Sequence, residues 1–266
     1  MVFLLIGIVV LIVVIAIVVY WQLVVTEGAY LGRPIVALMY DWFAPRYDKV
    51  KEFDPANDAV MLAEPILSQL RERTMDDGRP TTAKSAPVVS ATVPLRPGFR
   101  APTSSLQDPV VLDVATGTGR LPTALLLQPA FRGRIIAIDA SDKMLEVGRH
   151  KLAAYAERIE WQHADAQHLD FPDNSFDVVT SLEALEFFPS PDLAVQEMIR
   201  VLRPGGLFMI SNRVGPDAWK FPGRVNTTAV FCEQLERWGM REIEPQLWLV
   251  DYDLVTCVKS GEVVPA

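Results

Sequence analysis

The chain has 266 residues, half of them apolar and 22% charged, and its formal net charge at pH 7 is −8. This length suits one or two domains with a sizeable core, and the composition argues against wholesale disorder. The acidic balance argues against a general nucleic-acid binder. Two cysteines, Cys232 and Cys257, are too few for a disulfide framework or a four-cysteine zinc site, so we expect buried or free thiols in a reducing compartment.

The first predicted element is an uncharged apolar stretch over residues 2–25, in which only Gly7 and Gln22 are not apolar. As a helix it is about 36 Å long, enough for one tilted crossing of a hydrocarbon core about 30 Å thick. It lacks the basic start, the short apolar core and the small-residue cleavage site of a signal peptide, so residues 1–26 are predicted to be a transmembrane anchor. Basic residues follow the stretch and none precedes it. This predicts a single-pass protein of the cell membrane with its catalytic domain in the cytoplasm.

Residues 27–73 are predicted to form a juxtamembrane helical segment. Its first part, residues 30–51, mixes aromatic with charged residues. Two interpretations stay open here: a helix that lies on the bilayer or folds over an active site, and a helix packed on the domain. Asp54 and Pro55 are typical of a helix start, and Pro65 predicts a kink in the helix that follows.

Residues 74–108 hold 5 Pro and 9 Ser or Thr, which predicts a linker or an insertion. Residues 109–266 then alternate between strand and helix patterns. Strands are predicted over 109–114, 133–139, 158–163, 176–182, 206–212, 241–249 and 253–260, and helices over 119–129, 141–157, 190–202 and 226–238. The fold class is therefore α/β and Rossmann-like, with a mostly parallel seven-stranded sheet that ends in a hairpin at one edge.

The first strand of this domain runs into a glycine-rich turn, VLDVATGTGRLP, over residues 111–122. Gly117 and Gly119 allow the backbone to approach a ligand closely, and the helix that follows offers free N–H groups to an anion. A dinucleotide fingerprint fails because Pro122 stands where the third glycine is needed, and a P-loop fails because no G-K-[ST] follows. A nicotinamide oxidoreductase is therefore a poor interpretation of this turn.

Three further motifs follow the turn: IIAIDAS at the end of the second strand, WQHADAQHLDFPDNSFDVVTS (161–181) and VLRPGGLFMI (201–210). In this order and spacing, the four motifs resemble those of class I S-adenosylmethionine-dependent methyltransferases, in particular the ubiquinone/menaquinone biosynthesis group. Upstream, YDWFAPRYDKV (40–50) is similar to a paired Tyr-Asp element of the quinone-type relatives. The resemblance implies a Rossmann-like methyltransferase fold with S-adenosyl-L-methionine as cofactor.

The resemblance also implies roles for single residues. Asp139 is expected to accept hydrogen bonds from both ribose hydroxyls, which a carboxylate can do at once. Asp165 is expected to contact the adenine amino group, next to a backbone contact at Ala166. Two residues depart from the family pattern: Ala115 stands where many members have Gly, and Arg120 where an acidic residue is common. The expected cofactor-binding set is Asp113, Ala115, Thr116, Gly117, Gly119, Asp139, Ala140, Asp165, Ala166 and Ser181.

Glu186, in SLEALEFFP after the fourth strand, is the hypothesised general base. Its alternative interpretation is a carboxylate at a helix start that faces solvent. No metal site is expected, because the spacing of the three histidines does not suit one. The aromatic C-terminal region is expected to pack in the core or to form a wall of an apolar acceptor pocket. It contains Trp219, Phe221, Phe231, Trp238 and Trp248.

A membrane span next to such a domain predicts a membrane-anchored methyltransferase. Its acceptor is expected to be a small, lipophilic molecule, either a quinone precursor or a lipid, and no nucleic-acid partner is expected. The alternative is a non-catalytic scaffold protein at the membrane that binds adenosylmethionine. The sequence offers no convincing base, which keeps this alternative open.

Overall fold

The computed structural model describes residues 2–76, without the side chains of 74–76, and residues 108–261. Most of the predicted linker lies outside the described residues. The chain begins with helix α1 (Val2–Tyr20), which continues as one π-helical turn (Trp21–Val25). Within Val2–Val25 an 18-residue window has a mean hydropathy of 3.8, and none of that window is buried. This helix is long and apolar enough to span a membrane, and it contributes nothing to the described core.

Three helices follow: α2 (Arg33–Lys51), α3 (Pro55–Asp58) and α4 (Glu64–Asp76). The predicted helix start is confirmed, since the Asp54 carboxylate accepts a hydrogen bond from the Ala56 N–H at 2.9 Å. The disturbance expected at Pro65 is a π-helical turn over Ala59–Ala63, immediately before α4. Because proline has no N–H to donate, a local change of helical register is a direct consequence.

A seven-stranded sheet forms the centre of the fold, in the order β3-β2-β1-β4-β5-β7-β6. All pairs among the first five strands are parallel, whereas β7 pairs antiparallel with both β5 and β6. The predicted, mostly parallel seven-stranded sheet with a terminal hairpin is confirmed. Its strands are β1 (Val110–Val114), β2 (Arg134–Asp139), β3 (Ile159–His163), β4 (Phe176–Ser181), β5 (Leu202–Arg213), β6 (Met240–Leu249) and β7 (Tyr252–Lys259).

The helices of this region are α5 (Arg120–Leu126), α6 (Asp142–Lys151), α7 (Pro191–Val201) and α8 (Thr228–Arg237). Two predicted helices were too long. The first ends at Leu126 rather than at 129, because the residue before Pro129 is biased away from helix. The second ends at Lys151, and a separate 3-10 turn, Ala153–Tyr155, covers part of the remaining predicted range.

The core consists of two apolar layers, one on each face of the sheet, because successive strand residues point to opposite faces. Leu112, Val179 and Phe208 belong to one layer. The second layer includes Leu62 and Ile66, which come from the segment upstream of the predicted linker. The segment before the linker therefore packs into the same core as the sheet.

Candidate functional site

The glycine-rich turn after β1 requires left-handed backbone at three positions. Ala115, Gly117 and Gly119 have φ angles of +56°, +55° and +82°. At Gly119 glycine is needed for a second reason, because a Cβ there would lie 2.8 Å from Cη2 of Trp161. The turn therefore passes close to its neighbours, and its middle stays open for a ligand.

Asp139 ends β2, beside this turn. One oxygen of its carboxylate accepts from the Gly117 N–H and the other from the Ser141 N–H, both at 2.8 Å. Burial raises the pKa of Asp139, and these backbone hydrogen bonds oppose the rise. The carboxylate is thus fixed in orientation, and each oxygen keeps a second lone pair for a ligand.

Asp139 borders a cavity at the carboxyl ends of the parallel strands. This end of an open α/β sheet is where ligands usually bind. Six of the residues predicted to bind the cofactor line the cavity: Ala115, Gly117, Asp139, Ala140, Asp165 and Ala166.

The remaining predicted residues are placed differently. Asp113 and Thr116 line a smaller recess that adjoins the cavity at Ala115 and Gly117. Ser181 lies beneath the site, where its hydroxyl is buried without a hydrogen-bond partner among the described residues. Gly119 lines neither the cavity nor the recess, and it lies close to the Trp161 ring instead.

The recess contains a buried carboxyl group. Asp113 accepts hydrogen bonds from the Thr116 hydroxyl at 2.6 Å and from the Thr180 hydroxyl at 2.7 Å. Burial raises the pKa of Asp113 to about 7, although both hydroxyls favour the charged form. Asp113 therefore changes charge near neutral pH.

Helix α2 covers the cavity, which the sequence pattern alone did not decide. Val36, Ala37, Tyr40 and Tyr47 line it from this helix. Burial raises the pKa of both tyrosines above the ordinary value, so their hydroxyls stay protonated at neutral pH. Helix α2 folds over the cavity and also packs on the domain. The two interpretations, a helix over the site and a helix packed on the domain, therefore describe the same arrangement.

Asp165 closes the other end of the cavity. One of its oxygens accepts from the Gln167 N–H at 3.0 Å, and the other pairs with Arg33 of α2 at 2.6 Å. The Arg33 side chain is nearly half exposed, so this ion pair is weak and a ligand can displace it. Arg33 was not predicted, because only the fold brings it to Asp165.

The region from β1 to β5 contains the turn, Asp139, Asp165 and the strand ends that frame the cavity. Residues 112–210 of this region match the family described as "Methyltransferase domain". Residues 112–210 are thus similar to a methyltransferase domain.

The methyltransferase domain has curated relatives. It is 41% identical over 102 residues to "Ubiquinone/menaquinone biosynthesis C-methyltransferase UbiE" of Saccharophagus degradans, covering 38% of this chain and 41% of the relative. It is 44% identical over 100 residues to "Demethylmenaquinone methyltransferase" of Clavibacter sepedonicus, covering 38% of this chain and 39% of the relative. The match thus spans less than half the length of these relatives.

Among solved structures, the CurJ carbon methyltransferase aligns with a TM-score of 0.52 at 14% identity. The alignment covers 58% of this chain and 49% of CurJ. At this identity the likeness shows the fold alone, and it supports the Rossmann-like methyltransferase architecture.

Arg120, which departs from the family pattern, joins the methyltransferase domain to the upstream helices. Its guanidinium pairs with Asp58 at 2.6 Å and with Glu183 at 2.7 Å, and Lys51 pairs with Glu183 at 2.5 Å. The guanidinium also lies 4.5 Å from the ring centre of Trp248. Arg120, Asp58 and Glu183 are all nearly inaccessible to solvent, so loss of one of them would leave a buried charge uncompensated. Sequence reasoning missed this network because its members are far apart in the chain.

Glu186 does not face solvent. It is fully buried, so the solvent-facing alternative was wrong. One of its oxygens accepts from Arg213 at 2.6 Å and from the Tyr252 hydroxyl at 2.5 Å. Glu186 is not among the cavity-lining residues, whereas Glu183 is. This geometry disfavours Glu186 as a general base, and that role remains untested.

The aromatic C-terminal residues mostly pack in the core, and none of them lines the cavity. Phe221, Phe231 and Trp248 are buried, and Trp238 is partly buried, whereas Trp219 is 63% exposed. Both cysteines are free thiols, as predicted.

His163 pairs with Asp142 and His168 with Asp170, both at the surface. Within residues 2–76 and 108–261, no group of three or more His, Cys, Asp or Glu side chains is arranged to hold a metal ion.

Proposed function

We propose that the chain transfers a methyl group from S-adenosyl-L-methionine to a small, lipophilic acceptor of the quinone-precursor type. The observation that carries this proposal is the single cavity that joins the glycine-rich turn, Asp139 and Asp165 under the tyrosines of α2. Such a cavity suits a nucleoside at one end and an apolar acceptor beside it.

The residues present fit the cofactor. A Cβ built on Gly117 meets only Tyr47 Cε1, at 3.9 Å, so the turn leaves space for a ligand. Asp139 is proposed to hold the ribose hydroxyls, with Ala140 beside it, and Asp165 and Ala166 to hold the adenine. The recess at Asp113 and Thr116 is proposed to take the amino-acid end. Gly119 and Ser181 are proposed to shape the turn and the floor of the site.

When bound, the cofactor supplies an electrophilic methyl group on a sulfonium. The contribution of the chain is to hold the acceptor in line with that methyl and to exclude water, since proximity and orientation dominate such a displacement. Tyr40 and Tyr47 cover the site as neutral hydroxyls, and Glu183 lines it together with Asp139 and Asp165. Glu183 is closer to the proposed acceptor space than Glu186, but both of its oxygens are ion-paired, one with Arg120 and one with Lys51, so proximity and orientation are proposed to carry the transfer without a dedicated base.

The acceptor class follows from the apolar lining and from the relatives. Val36, Ala37, Phe187, Phe188 and Pro189 give the cavity a mostly apolar wall. The matched relatives are named for ubiquinone/menaquinone biosynthesis and for demethylmenaquinone. We therefore propose demethylmenaquinone as the first acceptor to test.

The location proposed for this activity is a membrane. The exposed apolar helix Val2–Val25 is proposed to be an uncleaved, single-pass anchor. The basic residues that follow it support a catalytic domain on the cytoplasmic side, by the positive-inside rule. An anchor next to the cavity keeps the site close to acceptors that dissolve in the bilayer.

One observation favours a second candidate, a scaffold that binds the cofactor without transferring its methyl group. Glu186, the base expected from the sequence, is not among the residues that line the cavity, and one of its oxygens accepts hydrogen bonds from Arg213 and Tyr252. The two candidates share cofactor binding and differ in methyl transfer.

Calorimetric titration of the full chain in detergent with adenosylmethionine and adenosylhomocysteine tests the shared part. Both ligands are expected to bind, and Asp139→Ala is expected to weaken binding by about tenfold or more, because it removes charge-assisted hydrogen bonds worth about 1.5–3 kcal/mol. Asp170→Ala is the matched control, since this exposed carboxylate lies outside the cavity. Unchanged affinity in Asp139→Ala would refute the placement of the site.

A further inference from the structure

The outer surface of α2 and the 3-10 turn Ala218–Lys220 expose large apolar side chains. Leu38 is 63% exposed, Trp42 is 74% exposed and Trp219 is 63% exposed, and Leu31 is 46% exposed just before α2. Isolated exposed apolar residues need no explanation, but two tryptophans and two leucines near the end of an apolar span do. We call Leu31, Leu38, Trp42 and Trp219 the interfacial face.

The charged side chains of α2 are also divided between its two sides. Its acidic side chains point to the domain: Asp41 accepts from the Ser141 hydroxyl at 2.6 Å, and Asp48 pairs with Lys151 at 2.9 Å. Arg46 and Lys49 are exposed, and the Arg46 guanidinium lies 5.8 Å from the ring centre of Trp42. The outward side of α2 is therefore basic and apolar on a chain of net charge −8. Tryptophan, leucine and basic residues on one side are typical of helices that lie in a bilayer interface.

The interfacial face is continuous with the apolar helix. The rings of Trp21 and Trp219 lie 5.2 Å apart, so Trp219 is next to the last turn of the span. Two hydrogen bonds tie the same region together: the Tyr30 hydroxyl donates to the Pro222 carbonyl at 2.9 Å, and Arg224 donates to the Ala29 carbonyl at 3.2 Å. If Val2–Val25 crosses a bilayer, Trp219 lies at its surface.

We propose that the interfacial face rests in the headgroup region of the bilayer that the span crosses, with Arg46 and Lys49 directed to anionic lipids. This inference rests on the membrane anchor of the proposed function and adds a second, extended contact with the membrane. It places one outer wall of the cavity against lipid.

A short aromatic path then joins lipid to the cavity. Phe221, two residues beyond Trp219, lies 5.8 Å from Phe187, and Phe187 lies 5.6 Å from Tyr40, measured between ring centres. Phe187 and Tyr40 both line the cavity. Packed aromatic rings therefore connect the segment that carries Trp219 to the wall of the cavity.

Tryptophan quenching by brominated lipid tests the inference. The full chain is reconstituted into vesicles of phosphatidylcholine and phosphatidylglycerol with brominated acyl chains, and the quenched fraction of its emission is compared with that of single Trp→Phe variants. Trp42→Phe and Trp219→Phe each remove a quenched emitter, so the quenched fraction is expected to fall. Trp238→Phe is the control, because it removes a partly buried emitter of the core and the quenched fraction is expected to rise.

Trp21→Phe separates this inference from the proposed anchor. If Trp21→Phe lowers the quenched fraction while Trp42→Phe and Trp219→Phe behave like Trp238→Phe, the interfacial face is refuted and the anchor stands. If Trp21→Phe also behaves like the control, the anchor fails and the inference fails with it.

Discussion

Arg120 offers the sharpest test of how the upstream helices are joined to the sheet. Replacing it with methionine keeps most of the side-chain volume and removes the charge. Asp58 then remains buried without its partner, and Glu183 keeps only Lys51. Removing one member of a buried ion pair typically costs about 3–5 kcal/mol, because the remaining charge is left uncompensated. This is a large part of a typical stability of about 5–15 kcal/mol.

The assay is urea unfolding of the full chain in detergent, followed by the fluorescence of the domain. Arg120→Met is expected to lower the free energy of unfolding by about 3–5 kcal/mol, and adding Asp58→Asn is expected to restore part of the loss. Arg71→Met is the matched control: its pair with Glu64 is exposed on both sides, so its loss is expected to stay below about 1 kcal/mol. Equal losses for Arg120→Met and Arg71→Met would refute the reasoning.

Three further predictions concern the turn and the buried carboxyls. Gly119→Ala is expected to lower the free energy of unfolding by more than the roughly 1–2 kcal/mol that left-handed backbone costs a residue with a Cβ. The loss is expected to be smaller in a Trp161→Phe background, which lacks the clashing Cη2 atom, and equal losses in both backgrounds would refute the clash. Burial raises the pKa of Asp113 to about 7, so between about pH 4 and pH 7 the native state holds a proton that the unfolded state has lost. The free energy of unfolding is therefore expected to fall as the pH rises through this range, by up to about 4 kcal/mol in total. In Asp113→Asn the midpoint of urea unfolding is expected to depend less on pH across this range than in the wild type. A wild-type midpoint that does not change with pH would contradict the raised pKa of Asp113. Glu186→Gln is expected to lower stability by about 1.5–3 kcal/mol by weakening the bond to Arg213, while methyl transfer per folded molecule is unchanged; lost transfer at unchanged stability would support the general-base hypothesis instead.

The sheet could be predicted from the sequence because its signals are local. Alternating apolar segments fix the strands, and parallel strands carry their carboxyl ends to one edge. Asp113 and Asp139 lie at the carboxyl ends of neighbouring strands and are therefore expected to be close together, and the structure places them in two adjoining spaces, the recess and the cavity. Their positions at this edge follow from the order and direction of the strands alone, without information on how side chains pack.

The packing of helix α2 over the cavity and the ion pairs of the site could not be predicted from local sequence patterns. Arg33 contacts Asp165, and Asp41 contacts Ser141, across a hundred residues of sequence or more. The burial of Glu186 could not be predicted, because a carboxylate near a strand end gives no local sign that it will pair with Arg213. Such contacts depend on how α2 and the C-terminal strands pack on the sheet, and periodicity does not encode that packing.

The proposed methyl transfer to a lipophilic acceptor can be measured directly. The full chain, reconstituted into vesicles that contain demethylmenaquinone, is incubated with adenosylmethionine labelled in its methyl group, and label is measured in the extracted lipid. Labelled quinone is expected from the wild-type chain, with a strong loss in Asp139→Ala. Unlabelled lipid from a chain that binds adenosylmethionine would contradict transfer to this acceptor and would favour the cofactor-binding scaffold.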